Sequence, residues 1–421
     1  MMWTLGGLIS LLMGLVYCEL ATITPQSGGD FTYIYKGVGP IPAFLTVWTG
    51  PLLTGSAASA VLAMVFADYL MAFMFGPCAS TQSLRKTIAA LLLITIGISN
   101  VISARLGVYV QVISSVIKLL ALGVIIAGGL VFLAQGRTEN LKDGFEGSAT
   151  DVTSYALALY SCMFAYGGYN RIGYIAEEII DAKKNVPRAI VISVSLVTCV
   201  YIATNVSYFV LIPKVELLQS SAVAYDWALK GIPFIATLIP ICVMCSVYGA
   251  NNGGSFSIAR VMFAAARRDL YPEVFSYLTV SDSLPVFGTI VYHTVGLLML
   301  IPGDIGRLVN FLNFMAFTVM WFSCIALLRL KYMLRHEQVD PSRFRTHISI
   351  PILSLLCSSF LIVAPFVTNP QIEFVYSAAF VLAGLLLYVP FIHFGLKIPG
   401  IDKLTLFMQL LLQICPTEKV E

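Results

Sequence analysis

The sequence is poor in charged residues, which make up only 11% of its 421 residues. Soluble domains carry roughly 25%, so the composition excludes an ordinary water-soluble enzyme. Intrinsic disorder is excluded as well, because it requires low hydrophobicity and 58% of these residues are hydrophobic. The net charge of +3 is dispersed, and no dense basic patch points to a nucleic acid as partner.

Sequence signatures of catalysis are also missing. The chain contains no H-E-x-x-H, no G-x-S-x-G and no Walker A sequence. Its four histidines lack the spacing of metal ligands: His293, His336, His347 and His393. We therefore expect neither an enzyme nor a resident metal or cofactor, and the lack of a phosphate-binding loop disfavours an ATP-driven pump.

What the sequence has is a series of long apolar runs. A bilayer core about 30 Å thick requires roughly 20 apolar residues in each helical span. Eleven stretches qualify: Trp3–Ala21, Ile41–Phe75, Ile88–Ile102, Leu106–Ala134, Tyr155–Ala176, Ala189–Ile212, Ile232–Ala265, Val286–Ile301, Ile305–Leu328, Ile348–Val367 and Phe374–Phe394. They predict an all-α polytopic protein in a lipid bilayer.

The basic residues predict its orientation. Short cytoplasmic loops are rich in Lys and Arg. With the Arg329–His347 loop placed inside, the inner loops hold more than twice as many basic residues as the outer ones. The C-terminus is then cytoplasmic and Met1 lies outside. We divide the chain into a transmembrane domain (1–394) and a cytoplasmic tail (395–421).

Cys78 differs from the other cysteines because it lies in a predicted outer loop, where disulfides form. No second cysteine is predicted on that side, so it is either one half of an intermolecular bridge or a free thiol.

Lys118 lies deep in the fourth stretch, where an ammonium group is expensive. It is interpreted either as a fixed cation that replaces a bound metal ion or as a structural tether.

The fifth stretch contains Phe164-Ala165-Tyr166-Gly167-Gly168-Tyr169-Asn170-Arg171. Paired glycines weaken a helix by about 1 kcal/mol each, and a broken helix offers backbone groups to a polar ligand at membrane depth. The flanking aromatic and polar residues favour a substrate site with an aromatic gate over a close helix contact through glycine.

A second patch in the seventh stretch reads Tyr248-Gly249-Ala250-Asn251-Asn252-Gly253-Gly254-Ser255. Buried asparagines need hydrogen-bond partners, which could be a substrate or neighbouring helices. From the residues alone, site lining and helix packing are equally good interpretations.

Taken together, the motifs resemble the light chains of the heteromeric amino-acid transporters, the L-type family of the amino acid–polyamine–organocation superfamily. The residues that carry the resemblance are Tyr17–Leu20, Pro25–Phe31, Phe75–Cys78, Lys118, Phe164–Asn170, Glu177–Asp181 with Pro187–Ile190, and Arg260–Pro272. The similarity extends over essentially the whole chain.

This resemblance implies an inverted 5+5 repeat plus two further helices, with eleven of twelve helices present, and sodium-independent exchange of amino acids by alternating access. It implies a plasma-membrane location and a disulfide from Cys78 to a single-span glycoprotein heavy chain. Lys118 would occupy the ion site of sodium-coupled relatives. The substrate pocket would be formed by Phe164 (the aromatic gate), Tyr166, Gly167, Gly168, Tyr169, Asn170, Asn251, Asn252 and Ser255.

The departures from the family pattern bear on activity and selectivity. The chain begins where the family's second helix begins, so the first helix, which grips the substrate, is expected to be missing. Gly167 stands where the cystine/cationic branch has aspartate, which argues against cationic substrates. Tyr169 replaces a common tryptophan. Arg171 replaces a neutral residue and should need an acidic or carbonyl partner.

Neutral amino acids, aromatic ones among them, are therefore the expected substrates. One alternative is a non-transporting form, either a truncated isoform or an incomplete gene model, that at most binds the heavy chain. Another is a sodium-coupled symporter on the same fold, which the lysine at position 118 disfavours.

Overall fold

The structure is a computed structural model of the full chain. It describes residues 1–26, 28–76, 81–102, 104–142, 144, 146–149, 151–280, 283–301, 304–336, 343–368, 372–396 and 400–416. Cys78, the expected disulfide residue, lies outside the described residues.

The chain forms sixteen α-helices in the described ranges. They are α1 Met2–Ile23, α2 Asp30–Gly37, α3 Pro40–Thr49, α4 Ser56–Phe75, α5 Gln82–Ile102, α6 Ala104–Ala134, α7 Val152–Tyr166, α8 Ala182–Leu211, α9 Lys214–Gln219, α10 Val223–Gly231, α11 Leu238–Ala266, α12 Val286–Met299, α13 Ile305–Met333, α14 Ser349–Thr368, α15 Ile372–Leu387 and α16 Ile401–Leu412.

Shorter elements connect them. Two π-helical turns continue α3 and α15, namely Gly50–Gly55 and Tyr388–His393. The others are 3₁₀ turns: Glu139–Leu141, Arg171–Glu178, Pro233–Ile235, Glu273–Ser276 and Leu334–His336. Two two-residue strands, β1 Leu278–Thr279 and β2 Ile414–Cys415, pair antiparallel.

Each of the eleven predicted apolar stretches is helical over most of its length, and ten of them contain no break as marked as that in the fifth, which confirms the all-α prediction. Seven helical runs of the described residues are long and apolar enough to cross a membrane, and Val286–Met299 and Ser349–Ala364 are shorter apolar helices. The fifth stretch is the exception, since α7 ends at Tyr166 and a 3₁₀ segment follows at Arg171.

Apolar side chains cover the outside of several helices. On α6, Val112, Val116 and Leu120 are each more than half exposed, and their i, i+4 spacing places them on one face. A face of this kind is stable against hydrocarbon rather than water, as expected for a membrane span.

The buried core centres on α1, which packs against α7, α8, α13 and α14. Met13, Val16 and Leu20 are fully buried there. Two small residues let α8 come close: a Cβ placed at Gly7 would lie 2.5 Å from Thr198, and one at Gly14 would lie 2.9 Å from Ile190. Close helix approach through glycine is a common packing mode in membranes.

The packing order is consistent with the two repeats that the resemblance implies. Helix α1 packs on α8, α4 packs on α11, and α5 packs on α12. In each pair, one helix belongs to the first half of the chain and the other to the second half. The three pairs follow one another in the same order in both halves. This is the arrangement expected when each helix meets its repeat counterpart near the symmetry axis.

A buried ion pair closes the end of α1. The Glu19 carboxylate is 1% exposed and lies 2.7 Å from Lys331 Nζ on α13. It also accepts hydrogen bonds from the backbone N–H (2.9 Å) and hydroxyl (2.6 Å) of Thr346. Because a buried carboxylate is costly unless paired, these contacts fasten α1 to α13 and to the start of the segment that leads into α14.

The expected tail has structure of its own. Helix α16 lies within it, and β2 then pairs Ile414 with Thr279 and Cys415 with Leu278. Ile414 is buried among residues of the segment that follows α11. No helix was predicted for this region.

Candidate functional site

The helix break predicted at the paired glycines is present. The backbone leaves the helix at Gly167, and Gly168 has φ +113°, a conformation that favours glycine because a side chain there is strained. The chain turns again at Arg171, whose N–H donates to the Gly168 carbonyl at 3.1 Å. Four residues, 167–170, are thus outside any regular helix.

Three backbone N–H groups in this break are not used by the described part of the fold. Those of Gly168, Tyr169 and Asn170 make no hydrogen bond to any described residue. At membrane depth, unpaired backbone groups are tolerated only where they line a cavity. The break therefore offers a set of donors for a ligand.

The break opens onto a cavity of about 700 Å³. This volume lies within the roughly 300–1,000 Å³ of small-molecule sites. Six of the expected pocket residues line it: Phe164, Gly167, Gly168, Tyr169, Asn170 and Asn251. Lys118, which was expected to occupy the ion site of sodium-coupled relatives, lines it as well.

Asp30 organises the break and was not identified from the sequence. Its carboxylate, only 3% exposed, accepts hydrogen bonds from Asn170 Nδ2 (2.8 Å), the Tyr174 hydroxyl (2.8 Å) and the Tyr17 hydroxyl. The Ser323 hydroxyl adds a longer bond of 3.4 Å. These donors belong to α1, the break region and α13, so one carboxylate joins three parts of the cavity wall. The sequence signal that could have identified Asp30 is an acidic residue that follows paired glycines in an apolar stretch.

Three expected pocket residues lie away from the cavity. Asn252 accepts from Asn100 Nδ2 at 2.8 Å and donates to the Gly107 carbonyl at 2.9 Å, and the Ser255 hydroxyl lies 2.8 Å from His293 Nε2. The polar groups of Asn252 and Ser255 thus form hydrogen bonds between α11 and the helices that pack on it. Asn251 does line the cavity, although its amide is bound to Ser59 on α4.

Tyr166 is the third of these residues. Its hydroxyl donates to the Trp3 carbonyl at 2.8 Å, and its ring packs on Trp3 and Tyr201. It anchors the end of α7 to the start of α1 instead of lining the cavity, because residues two apart on a helix, such as Phe164 and Tyr166, point to opposite sides.

The two basic residues of the cavity have no partner within the part of the chain that the structure describes. Among the described residues, neither Lys118 nor the Arg171 guanidinium has a hydrogen bond or an ion pair. The partner expected for Arg171 is therefore not found. Its guanidinium lies beside Gly254 of α11, in a notch that a side chain would fill.

The comparisons with known proteins agree with this architecture. The amino acid permease family profile matches residues 1–390. The human b(0,+)-type amino acid transporter 1 is 35% identical over 419 residues, which are 99% of this chain and 85% of that protein. The human cystine/glutamate transporter is 33% identical over 99% of this chain and 83% of its own length.

A third relative, the human large neutral amino acids transporter small subunit 2, is 33% identical over 88% of this chain and 69% of its own length. The chain therefore belongs to the amino acid permease family, among the light chains of the heteromeric amino-acid transporters, as the resemblance indicated. It is a multi-pass membrane protein, and these relatives are transporters rather than enzymes.

Proposed function

We propose that the protein is a sodium-independent exchanger of neutral amino acids, aromatic ones included, that works by alternating access. The observation that carries this proposal is the helix break at 167–170, which opens onto the 700 Å³ cavity. A broken helix at such a cavity offers both the donors and the flexibility that a carrier needs.

The substrate's α-carboxylate is assigned to the break. The N–H groups of Gly168, Tyr169 and Asn170 bond to no described residue and can donate hydrogen bonds to an anion. Phe164 lies at the end of α7 and serves as the aromatic gate over this position. Tyr169, which is half-buried and packs on Tyr17, forms the side of the pocket.

Sodium independence is inferred from Lys118. Its ammonium group lines the cavity and has no partner among the described residues. A fixed positive charge there supplies the electrostatic role of a bound cation and repels a sodium ion from the same place.

The proposal includes a heavy chain. Cys78 would form a disulfide with a single-span glycoprotein, and the pair would reside in the plasma membrane with the C-terminus of this chain in the cytoplasm. Support comes from the predicted outer position of Cys78 and the surplus of basic residues on the opposite side.

Reconstitution tests the transport proposal. The full chain, co-purified with a heavy chain, is placed in liposomes preloaded with unlabelled leucine, and uptake of labelled leucine is measured in sodium and in choline buffer. We expect equal uptake in the two buffers and none into liposomes without internal amino acid. Strict sodium dependence, or heavy-chain binding with no uptake at all, would contradict the proposal.

The disulfide is tested separately with Cys78→Ser. We expect the high-mass band seen in non-reducing electrophoresis of the wild-type complex to disappear in this variant. The matched control is Cys415→Ser, a substitution of another exposed cysteine, which should leave the band in place.

A further inference from the structure

The charged groups of the cavity do not balance. Among the described residues that line it, three are charged: Asp30, Lys118 and Arg171. The Asp30 carboxylate already accepts four hydrogen bonds, about the number that two carboxylate oxygens can hold. Neither cation is paired with it, so the wall has a surplus of positive charge.

Arg171 is held in place by the fold on both sides of its side chain. Its backbone is fixed by the turn to Gly168, and its guanidinium enters the notch at Gly254. A Cβ placed at Gly254 would lie 2.8 Å from a terminal nitrogen of Arg171 and 3.6 Å from the Tyr292 hydroxyl. Position 254 therefore leaves room for the guanidinium because it lacks a side chain.

An arginine in this setting is an anion site. The guanidinium stays charged, and its planar set of donors matches both oxygens of a carboxylate. A partly buried cation without a partner is costly at membrane depth, and a ligand that supplies a carboxylate removes this cost. The amides of the break, next to Arg171 in the chain, already provide a place for the first carboxylate of an amino acid.

We propose that the cavity also binds amino acids with a carboxylate side chain, and that this second carboxylate pairs with Arg171. The inference rests on the proposed function, because it uses the break as the α-carboxylate position. It extends the substrate range from neutral to acidic amino acids. Amino acids with a cationic side chain are repelled by the same charge.

Binding to the purified full-length complex tests this proposal. Affinities for glutamate, leucine and lysine are measured by ligand-dependent thermal stabilisation, for the wild type and for Arg171→Gln. We expect glutamate and leucine to bind the wild type and lysine not to bind. In Arg171→Gln, the affinity for glutamate should fall at least about tenfold relative to that for leucine, since a charge-assisted carboxylate pair is lost.

A pair of glycine variants provides the matched control. In Gly254→Ala the new methyl would lie 2.8 Å from a terminal nitrogen of Arg171 and forces the guanidinium to shift, so the glutamate-to-leucine affinity ratio should fall, though less than in Arg171→Gln. In Gly253→Ala the methyl meets the Gln111 side chain at the same 2.8 Å distance but on the α6 side of the helix. That ratio should then stay at its wild-type value. Arg171→Lys should recover part of the ratio.

The outcomes distinguish failure of this inference from failure of the proposed function. Leucine binding without glutamate binding overturns the inference and leaves the proposed function standing. An equal loss of both ligands in Arg171→Gln also overturns it, because the arginine would then hold the α-carboxylate. If the wild type binds neither, both proposals fail. Thermal unfolding without ligand identifies any variant that fails to fold, and Gly254→Ala then decides the question.

Discussion

Two glycine-rich polar patches of similar composition, 164–171 and 248–255, have different structures. In the first the helix stops, and glycine 168 takes a left-handed conformation. In the second the helix continues without interruption through α11. The first patch lines the cavity and has backbone N–H groups that bond to no described residue, whereas most polar groups of the second bond to other helices.

The glycines of the second patch serve packing. A Cβ placed at Gly249 would lie 1.8 Å from the Ser114 hydroxyl, and one at Gly253 would lie 2.8 Å from Gln111, both on α6. Spaced four apart, they form the small-residue seam typical of membrane helices. Glycine next to polar residues therefore indicates a ligand site only where the backbone leaves the helix.

The largest expected effect comes from breaking the support of the first patch. Asp30→Asn replaces an oxygen acceptor with an amide nitrogen, so two of the four donors lose their partner. Each such loss costs about 1–3 kcal/mol. We expect a fall of about 3 kcal/mol in unfolding free energy and a large fall in uptake, measured by thermal unfolding and by counterflow. Normal uptake in this variant would contradict the role of Asp30.

The next effect is confined to the second patch. Asn252→Leu removes the hydrogen bonds to Asn100 and to the Gly107 carbonyl and leaves those groups buried. The unfolding free energy should fall by about 2 kcal/mol. Because Asn252 lies away from the cavity, the KM for leucine should change less than twofold in the protein that folds. A tenfold rise in KM would place Asn252 in the site after all.

A smaller loss of stability is expected for Gly168→Ala. Its Cβ meets no atom within 4 Å, so the cost is the strained backbone alone, about 1–2 kcal/mol. Uptake should nevertheless fall strongly because the donors of the break move. The comparison variant is Gly167→Ala, at a cavity residue with an ordinary φ of −58°, where the Cβ would lie 3.2 Å from the Phe164 carbonyl oxygen. Equal effects of the two variants would contradict the importance of the left-handed turn.

The smallest effect is expected for Ser255→Ala. It removes one hydrogen bond to His293, worth about 1 kcal/mol. The melting temperature should fall slightly, and the KM for leucine should stay near the wild-type value. A selective loss of leucine affinity at unchanged stability would assign Ser255 to the substrate site.

Much of the fold could be predicted from the sequence because apolar runs of bilayer length leave few alternatives to a transmembrane helix. The break at 167–170 was equally accessible, since paired glycines among aromatic residues mark both a weak helix and a pocket. These are local signals, contained in a short stretch of chain.

The remainder depends on contacts between distant parts of the chain. Asp30 and Asn170 are 140 residues apart, so their hydrogen bond leaves no local pattern. The same holds for the partners of Asn252 and Ser255, which decide the direction in which those side chains face. The packing of α16 and β2 also depends on distant residues of the segment after α11.

The central claim is that the helix break binds the substrate, and a structure of the complex with leucine bound tests it most directly. We predict that the α-carboxylate of leucine lies within hydrogen-bond distance of the N–H groups of Gly168, Tyr169 and Asn170, with Phe164 above it. A leucine molecule held instead by Asn252 and Ser255, away from the break, would contradict the account.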